Sequence, residues 1–408
     1  MSKLYRTITE DLKALGLNFR INDLDESLEV KTDGRWERIT DTLEKIIKTD
    51  LRGIGYGGRK KPSITTAADA WTKLAHNQRY NPIKNYLLSL EGKYEPGEPG
   101  RPYVNELFSK FFDNPDGWFS RWLFRWMVGA IAKVFDQQRN PMLVLVGGQH
   151  MGKSYFARWL CPIDKNRHFV EQAINTDSKD HKLRLADRLI WEVPELGATT
   201  RRADIEALKA FITTRDIYER PPYGRYPIHK PALCSFIGSV NDDGAGFLND
   251  PTGSTRFLAC ELTDIDHSYT IQPVEQLWAE AYWFYRNTER AWELLEEEQT
   301  TRDVINASFE MVSALEDCVL ARFVFTGNAD DRLTNEQIKD HLAGAYTIRN
   351  ENGFVRELNR IMKKHGAAKY RSTYVPGQPH LRGFYGIKRC YPGDEPNPPQ
   401  PQPEQGEF

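Results

Sequence analysis

Pro141 to Leu160 reads PMLVLVGGQHMGKSYFARWL, and its glycines, lysine and serine have the spacing of a phosphate cradle. Gly147-Gly148-Gln149-His150-Met151-Gly152-Lys153-Ser154 fits G-x-x-x-x-G-K-[ST], with the apolar run Met142 to Val146 before it and a helical pattern from Tyr155 to Leu160 after it. Each part has a chemical task. Glycines let backbone N–H groups curl around phosphate oxygens, and the N-terminus of the next helix adds the positive end of its dipole. Lys153 is placed to reach the β- and γ-phosphates, and the Ser154 hydroxyl to bind Mg²⁺. Residues 147–155, ending with Tyr155, are thus the predicted ATP contacts, with ATP and Mg²⁺ as cofactors. A chance glycine turn is the competing reading, and the strand–loop–helix context argues against it.

A phosphate cradle alone names no reaction. Triphosphate hydrolysis also needs an acid near Mg²⁺ and a group to polarise the attacking water. Leu185 to Gly197 (LADRLIWEVPELG) supplies candidates about forty residues on: a buried-strand pattern ends at Glu192, with Glu195 just beyond. Glu192 is the expected strand-end acid and metal ligand beside Ser154, and Glu195 its partner. Which of the two polarises the water stays open, and two surface glutamates are the plain alternative. Ala232 to Asn241 (ALCSFIGSVN) reads as a further strand whose last residue, Asn241, sits at the carboxyl end of a parallel sheet, where it can sense the γ-phosphate. Arg256 falls in a turn before another short apolar strand. There it can project into a neighbouring subunit's site, which requires a head-to-tail contact that closes into a ring. A surface arginine is the equal alternative.

These groups need a scaffold. The chain has 408 residues, 40% hydrophobic and 27% charged, which suits a soluble protein of two or three domains. The net charge of −2 leaves nucleic-acid binding to local basic patches. Five scattered cysteines with no C-x-x-C pair argue against zinc or disulfides and fit a reducing cytoplasm. No apolar run reaches membrane-spanning length, and the first residues lack a signal-peptide core. Residues 1–115 read as an α-rich accessory or oligomerisation region, with a hairpin at Leu28–Val30 and Asp33-Gly34 and helices at Thr65–Asn77 and Pro82–Leu90. Gly53, Gly55 and Gly58 match G-x-G-x-x-G, but no strand precedes them, so Arg52–Lys61 is a basic loop rather than a dinucleotide site. Glu95–Gly100 is a linker. Trp118 to Phe135 is an aromatic-rich core helix before the cradle strand. Residues 116–305 form the catalytic core, closed by a long helix or helix pair over Val274–Glu297. The Pro- and Gln-rich tail, 391–408, is expected to be disordered.

The strings GGQHMGKS, WEVPELG, RRADIEALKAF, RPPYGR, FIGSVN and DPTGSTRF, in this order, resemble the virulence-associated E family of phage and mobile-element proteins, which is similar to superfamily 3 helicases and to the helicase half of phage and plasmid primase–helicases. The resemblance spans about residues 65 to 300. It implies an α/β fold, a P-loop NTPase of AAA-like type, acting as a hexameric ring that moves on single-stranded DNA. By it Lys153 and Ser154 are Walker A, Glu192 and Glu195 Walker B, Asn241 the sensor and Arg256 the arginine finger. The acidic pair is spaced rather than adjacent, unlike many superfamily 3 proteins. No paired-aspartate primase motif precedes the cradle, so a separate primase or replication partner is expected.

Superfamily 3 proteins carry a DNA-contacting hairpin between the second and third motifs. Here Pro221-Pro222-Tyr223-Gly224 makes a turn flanked by Arg215, Arg220, Arg225, His229 and Lys230, which suits phosphate tracking and base stacking inside a ring. Arg220 or Arg225 can instead serve the nucleotide, and a solvated basic loop is the bland reading. Lys209, on the helix after Glu195, is a further candidate for phosphate or subunit contact. Residues 306–390 suggest a C-terminal winged helix: a helix capped by Thr334, a second from Asn352 to His365 carrying Arg356, Arg360, Lys363 and Lys364, and strands at Ala368–Tyr374 and Phe384–Arg389 around a Pro-Gly-Gln-Pro wing. The expected activity is a replicative helicase. The rivals are an initiator ATPase that melts origin duplex, and a non-catalytic interference or assembly protein.

Overall fold

The computed structural model describes residues 3–54, 63–96, 104, 108–196, 202–222, 224–241, 246–248, 255–311, 313–348, 350–371 and 382–390. The rest of the Arg52–Lys61 loop beyond Ile54, residues 97–100 of the linker, Tyr223, residues 249–254, the Pro-Gly-Gln-Pro segment and the tail lie outside the described residues. By their contacts the described residues form two units, one within 1–242 and 249–306, the other within 243–248 and 307–390.

The first unit opens with α1 (Lys3–Ala14), β1 (Asn18–Asn22), β2 (Leu28–Thr32), β3 (Arg35–Arg38), α2 (Asp41–Gly53), α3 (Ile64–His76), β4 (Arg79–Tyr80) and α4 (Pro82–Leu88). The β2–β3 hairpin turns on Asp33 (φ 48°) and Gly34 (φ 82°), both in the left-handed region that a tight two-residue hairpin demands. Thr40, Ser63 and Asn81 cap α2, α3 and α4 by accepting backbone N–H groups. The sheet, in order β3-β2-β1-β4, packs Phe19, Ile21 and Val30 against Ile8, Leu12 and Trp71. This region thus has a small core of its own, within the same unit as the residues that follow.

Next come β5 (Phe112–Asp113), α5 (Phe119–Asp136), β6 (Met142–Gly147), α6 (Lys153–Leu160), α7 (Lys165–His168), β7 (Phe169–Glu171), α8 (Lys179–Asp187), β8 (Ile190–Val193), α9 (Arg202–Ile212), β9 (Asp216–Glu219), β10 (Ile228–Pro231), β11 (Ser235–Asn241), β12 (Phe257–Leu262) and β13 (Asp264–Ile265). A 3₁₀ turn (His267–Ile271), α10 (Val274–Asn287) and α11 (Glu296–Ser308) follow. Five strands form one sheet in order β12-β6-β11-β8-β7, and every neighbouring pair is parallel. Both faces are covered, which is why β6 is an unbroken apolar run and all six of its residues are buried. The aromatic helix expected before β6 is α5; Trp122 and Trp126 are fully buried, and Trp126 Nε1 donates to the Phe236 carbonyl at 2.9 Å, tying helix to sheet. The closing segment is a helix pair, broken between Asn287 and Glu296, rather than one long helix.

The second unit contains α12 (Ala314–Arg322), β14 (Phe323–Phe325), β15 (Arg332–Thr334), α13 (Asn335–Leu342), α14 (Glu351–Lys364), β16 (Ala368–Arg371), β17 (Arg382–Tyr385) and β18 (Ile387–Arg389). Thr334 and Gln337 form a reciprocal capping box that starts α13. β15-β17-β16 is an antiparallel sheet, and Leu315, Val319, Ile338, Leu358, Ile361 and Phe384 are among the residues of one core. Gly386, at φ 79°, divides the last expected strand into β17 and β18.

Candidate nucleotide-binding site

The glycine loop joins the C-terminal end of β6 to α6. Asn241, the last residue of β11, lies opposite Gly147 in the parallel register. Lys153 is buried, and its Nζ donates to the carbonyls of Gly147 (2.7 Å) and Gly148 (2.6 Å) and, at 3.5 Å, to Asn241 Oδ1. Burial pulls the ammonium's pKa down. Ser154 Oγ donates to Glu192 Oε1 at 3.0 Å, and Ser239 Oγ donates to the same oxygen at 2.7 Å. The sequence reading missed Ser239. It stands two residues before Asn241, so the period-2 alternation of a strand puts both on one face.

Glu192 is fully buried. Its other oxygen, Oε2, is buried and meets no hydrogen-bond partner among the described residues. Burial holds its pKa above the ordinary carboxylate value; the two serine bonds offset this only in part, and the Glu171 carboxylate, paired with it across β7–β8, pushes the same way. Among the described residues this buried carboxylate has one idle oxygen, two serine hydroxyls on the other and no paired cation, a donor set suited to a divalent cation. The chemistry of these residues therefore fits Mg²⁺.

The loop's backbone is shaped by its glycines. A side chain at Gly147 would meet the Leu262 carbonyl at 2.4 Å. Gly152 has φ 96°, and a Cβ there would come within 2.4 Å of the His267 ring. His150, at φ 62°, and Gln149 are exposed, and Met151 folds its thioether back towards Gly147. Tyr155 is exposed and pairs edge-on with His267, centroids 6.3 Å apart. No motif in the sequence points to His267; only the fold brings it to the loop.

The second acid behaves differently. Glu195 is exposed and sits past the end of β8 in a left-handed conformation, φ 50°, unusual for a residue with a side chain. It lines a groove with Asn175, Val193 and Leu208, whereas the hydrogen bonds of Ser154 and Ser239 go to Glu192. So Glu192, not Glu195, meets the cradle. Arg256 is half-buried immediately before β12; its carbonyl accepts the Met142 N–H at 2.8 Å, and its guanidinium has no hydrogen-bond or ion-pair partner among the described residues.

The basic candidates separate by what surrounds them. β9 and β10 form the hairpin expected between the second and third motifs. Arg215, Arg220, Arg225 and His229 are exposed on it, as are two rings the sequence reading did not single out, Tyr218 (71%) and Tyr226 (70%). Arg225 lies over the Tyr226 ring at 5.6 Å. Four further basic candidates are ion-paired with acids of the same chain. Lys209 is buried and ion-paired with Glu206 at 3.1 Å. Lys230 is turned into the N-terminal region, where it binds Glu26 and the Asp23 carbonyl. In the second unit Lys364 pairs with buried Glu316 at 3.1 Å and with Glu310 at 3.5 Å. Arg360 is less enclosed but reaches the same two carboxylates at 3.6 Å. Arg356 and Lys363 are exposed, seven residues apart on one face of α14.

No described helix is long and apolar enough to cross a membrane. Among solved structures the chain is similar to the apo structure of the NrS-1 C terminal region, at 14% identity and a TM-score of 0.52, covering 95% of this chain and 100% of that one. It is also similar to the A form apo structure of that region, at 14% identity and a TM-score of 0.51, covering 94% and 100%. At this identity the likeness concerns the fold: mixed α/β with a parallel sheet. A search of curated proteins returns no match. A family model described as the virulence-associated protein E-like domain matches residues 97–311, more than half of the chain and all of its parallel sheet. The chain therefore belongs to the virulence-associated protein E-like family.

Proposed function

We propose that this chain is an ATP-dependent DNA helicase of a phage or mobile element, working as a hexameric ring on single-stranded DNA. One observation carries the reading: at the carboxyl ends of neighbouring parallel strands Lys153 meets Asn241, Ser154 and Ser239 meet one oxygen of Glu192, and the other Glu192 oxygen has no hydrogen-bond partner among the described residues. The β11 strand lies between the cradle strand β6 and the acid strand β8, an order that fits the AAA-like core implied by the family.

In this reading the loop N–H groups and the α6 N-terminus bind the phosphates. Lys153, held by loop carbonyls, turns its ammonium to the β- and γ-phosphates. Mg²⁺, when bound, neutralises phosphate charge; Ser154 and Glu192 are the residues that hold it. Asn241 orients the γ-phosphate or the attacking water. Water adds to the γ-phosphorus as the bridging P–O bond to the β-phosphate breaks, giving ADP and phosphate, and the water's proton passes to an acid, for which Glu195 remains the candidate. Arg256, free of partners within its own chain's described residues, is the group to reach a neighbour's γ-phosphate. Tyr218, Tyr226, Arg215, Arg220 and Arg225 are the candidates for stacking and phosphate contact on a threaded strand. Arg356 and Lys363 supply a second basic face, as a winged-helix reading of the second unit requires.

A forked-duplex assay with ATP, run on the wild type and Lys153→Ala, tests this reading. Strand release that depends on ATP and vanishes in the variant supports a helicase. ATP turnover with no strand release supports an origin-melting initiator instead. Absence of turnover with every DNA supplied removes both.

A further inference from the structure

The phosphate cradle has two sides. One is spent on the γ end of the triphosphate: Lys153 faces Asn241, and Ser154 faces Glu192. The ribose and base must then leave the cradle elsewhere. Successive helical residues turn by 100°, so Tyr155 projects away from the face that aims Ser154 at Glu192. Tyr155 is 58% exposed, although Phe156 after it and Lys153 two residues before it are buried. His267 comes to the same place from the 3₁₀ turn after β13, with its ring against Gly152 and its centroid 6.3 Å from that of Tyr155.

This arrangement is supported from beneath. Tyr269, fully buried, lies 6.2 Å from His267 and 4.9 Å from Trp159, and joins both to the aromatic cluster of Phe112 and Phe156. The Tyr269 hydroxyl is itself buried and without a hydrogen-bond partner among the described residues. Gly152 is constrained twice, by its positive φ and by His267 filling the space a Cβ would need. Two exposed rings are therefore held on a rigid base beside the loop, on the side that the γ-phosphate machinery leaves free.

We infer that Tyr155 and His267 form the stacking platform for the nucleobase, and that it selects purine over pyrimidine nucleotides. Stacking reads ring area rather than the hydrogen-bonding edge, so the larger two-ring bases gain most, and adenine and guanine differ little. The inference rests on the nucleotide-site reading above, and goes beyond it by assigning base recognition to a residue outside every motif.

The test is a calorimetric titration of the full chain with ADP, GDP, CDP and inorganic tripolyphosphate. The platform predicts that the wild type binds ADP and GDP within about threefold of each other and about tenfold tighter than CDP. Tyr155→Ala and His267→Ala each weaken ADP by about tenfold while leaving tripolyphosphate unchanged, and Tyr155→Phe and His267→Phe restore ADP binding. Equal ADP affinity in wild type and alanine variants, or equal affinity of the wild type for ADP and CDP, overturns the platform while the cradle stands. A wild type that binds neither ADP nor tripolyphosphate overturns the cradle, and the platform with it.

Discussion

Replacing Glu192 with glutamine separates the proposed metal role of this side chain from its structural one. Glutamine keeps the shape, and its carbonyl can still accept from Ser154 and Ser239. Those two bonds lose their charge-assisted character, a cost of about 1 kcal/mol each. Against this, the variant no longer buries a carboxylate with an idle oxygen, a burden of several kcal/mol per ion. Without ligands, Glu192→Gln is therefore neutral to stabilising, by up to about 2 kcal/mol. The folded pKa of Glu192 is raised, so its carboxyl favours the native state most when protonated, below its ordinary value of 4.5, and that stability is lost as pH rises through the folded pKa. The advantage of the variant over wild type thus grows from acid towards neutral pH. With nucleotide the order reverses. A ligand at about 100 times its Kd adds about 2.7 kcal/mol, which for a unit of this size is roughly 5–10 °C in Tm. In wild type ADP with Mg²⁺ should exceed ADP alone; in the variant the Mg²⁺ increment disappears. Thermal melts with and without ADP and Mg²⁺ read both effects. A variant that keeps the Mg²⁺ increment, or loses more than about 2 kcal/mol without ligand, refutes the reasoning.

Three further outcomes follow from the geometry. Gly152→Ala strains a φ of 96° and drives a Cβ to 2.4 Å from His267, so it should lose about 2–4 kcal/mol, and adding His267→Ala should recover part of that in a melt; no recovery means the contact is not the cause. Arg356→Ala and Lys363→Ala should each lower the log–log salt slope of duplex binding by about 0.9 without unfolding the protein, whereas Lys364→Ala, which breaks a pair to buried Glu316, should destabilise the second unit instead. Burial alone would raise the Glu316 pKa, but hydrogen bonds from His365 and Lys364 bring it to about 2. A depressed acid stabilises above its unfolded pKa of 4.5, so about 3 kcal/mol should drain from the second unit as pH falls from 4.5 to 2, seen as hydrogen exchange over residues 314–364 and missing in Glu316→Gln.

The shape of the glycine loop was legible because its backbone demands are local. Gly147 to Ser154 carry their own backbone demands, and β6 shows its burial as an unbroken apolar run. Glu192 and Asn241 were legible as strand ends, and Asp33-Gly34 as a turn. The surroundings of the basic residues expected to meet DNA were less so, because a lysine's partners include acids far away in the chain. Lys230 meets Glu26 across 204 residues, and Lys364 meets Glu316. Lys209 sits on an amphipathic helix whose buried side the local pattern did not reveal. His267 carries no motif, since its role comes only from where β13 ends. Glu195 looked like the partner of Glu192 by spacing, yet a left-handed turn carries it past the strand end.

A triphosphate site completed by a neighbouring subunit is the central proposal, and mixing two inactive variants tests it most directly. Lys153→Ala disables the cradle, and Arg256→Ala disables the reaching guanidinium. In rings assembled from equal parts of both, about a quarter of the seams pair an intact cradle with an intact arginine. Single-stranded-DNA-stimulated ATP turnover should therefore return to about a quarter of wild type. A mixture as inactive as its two components, with the subunits shown to co-assemble, contradicts the shared site.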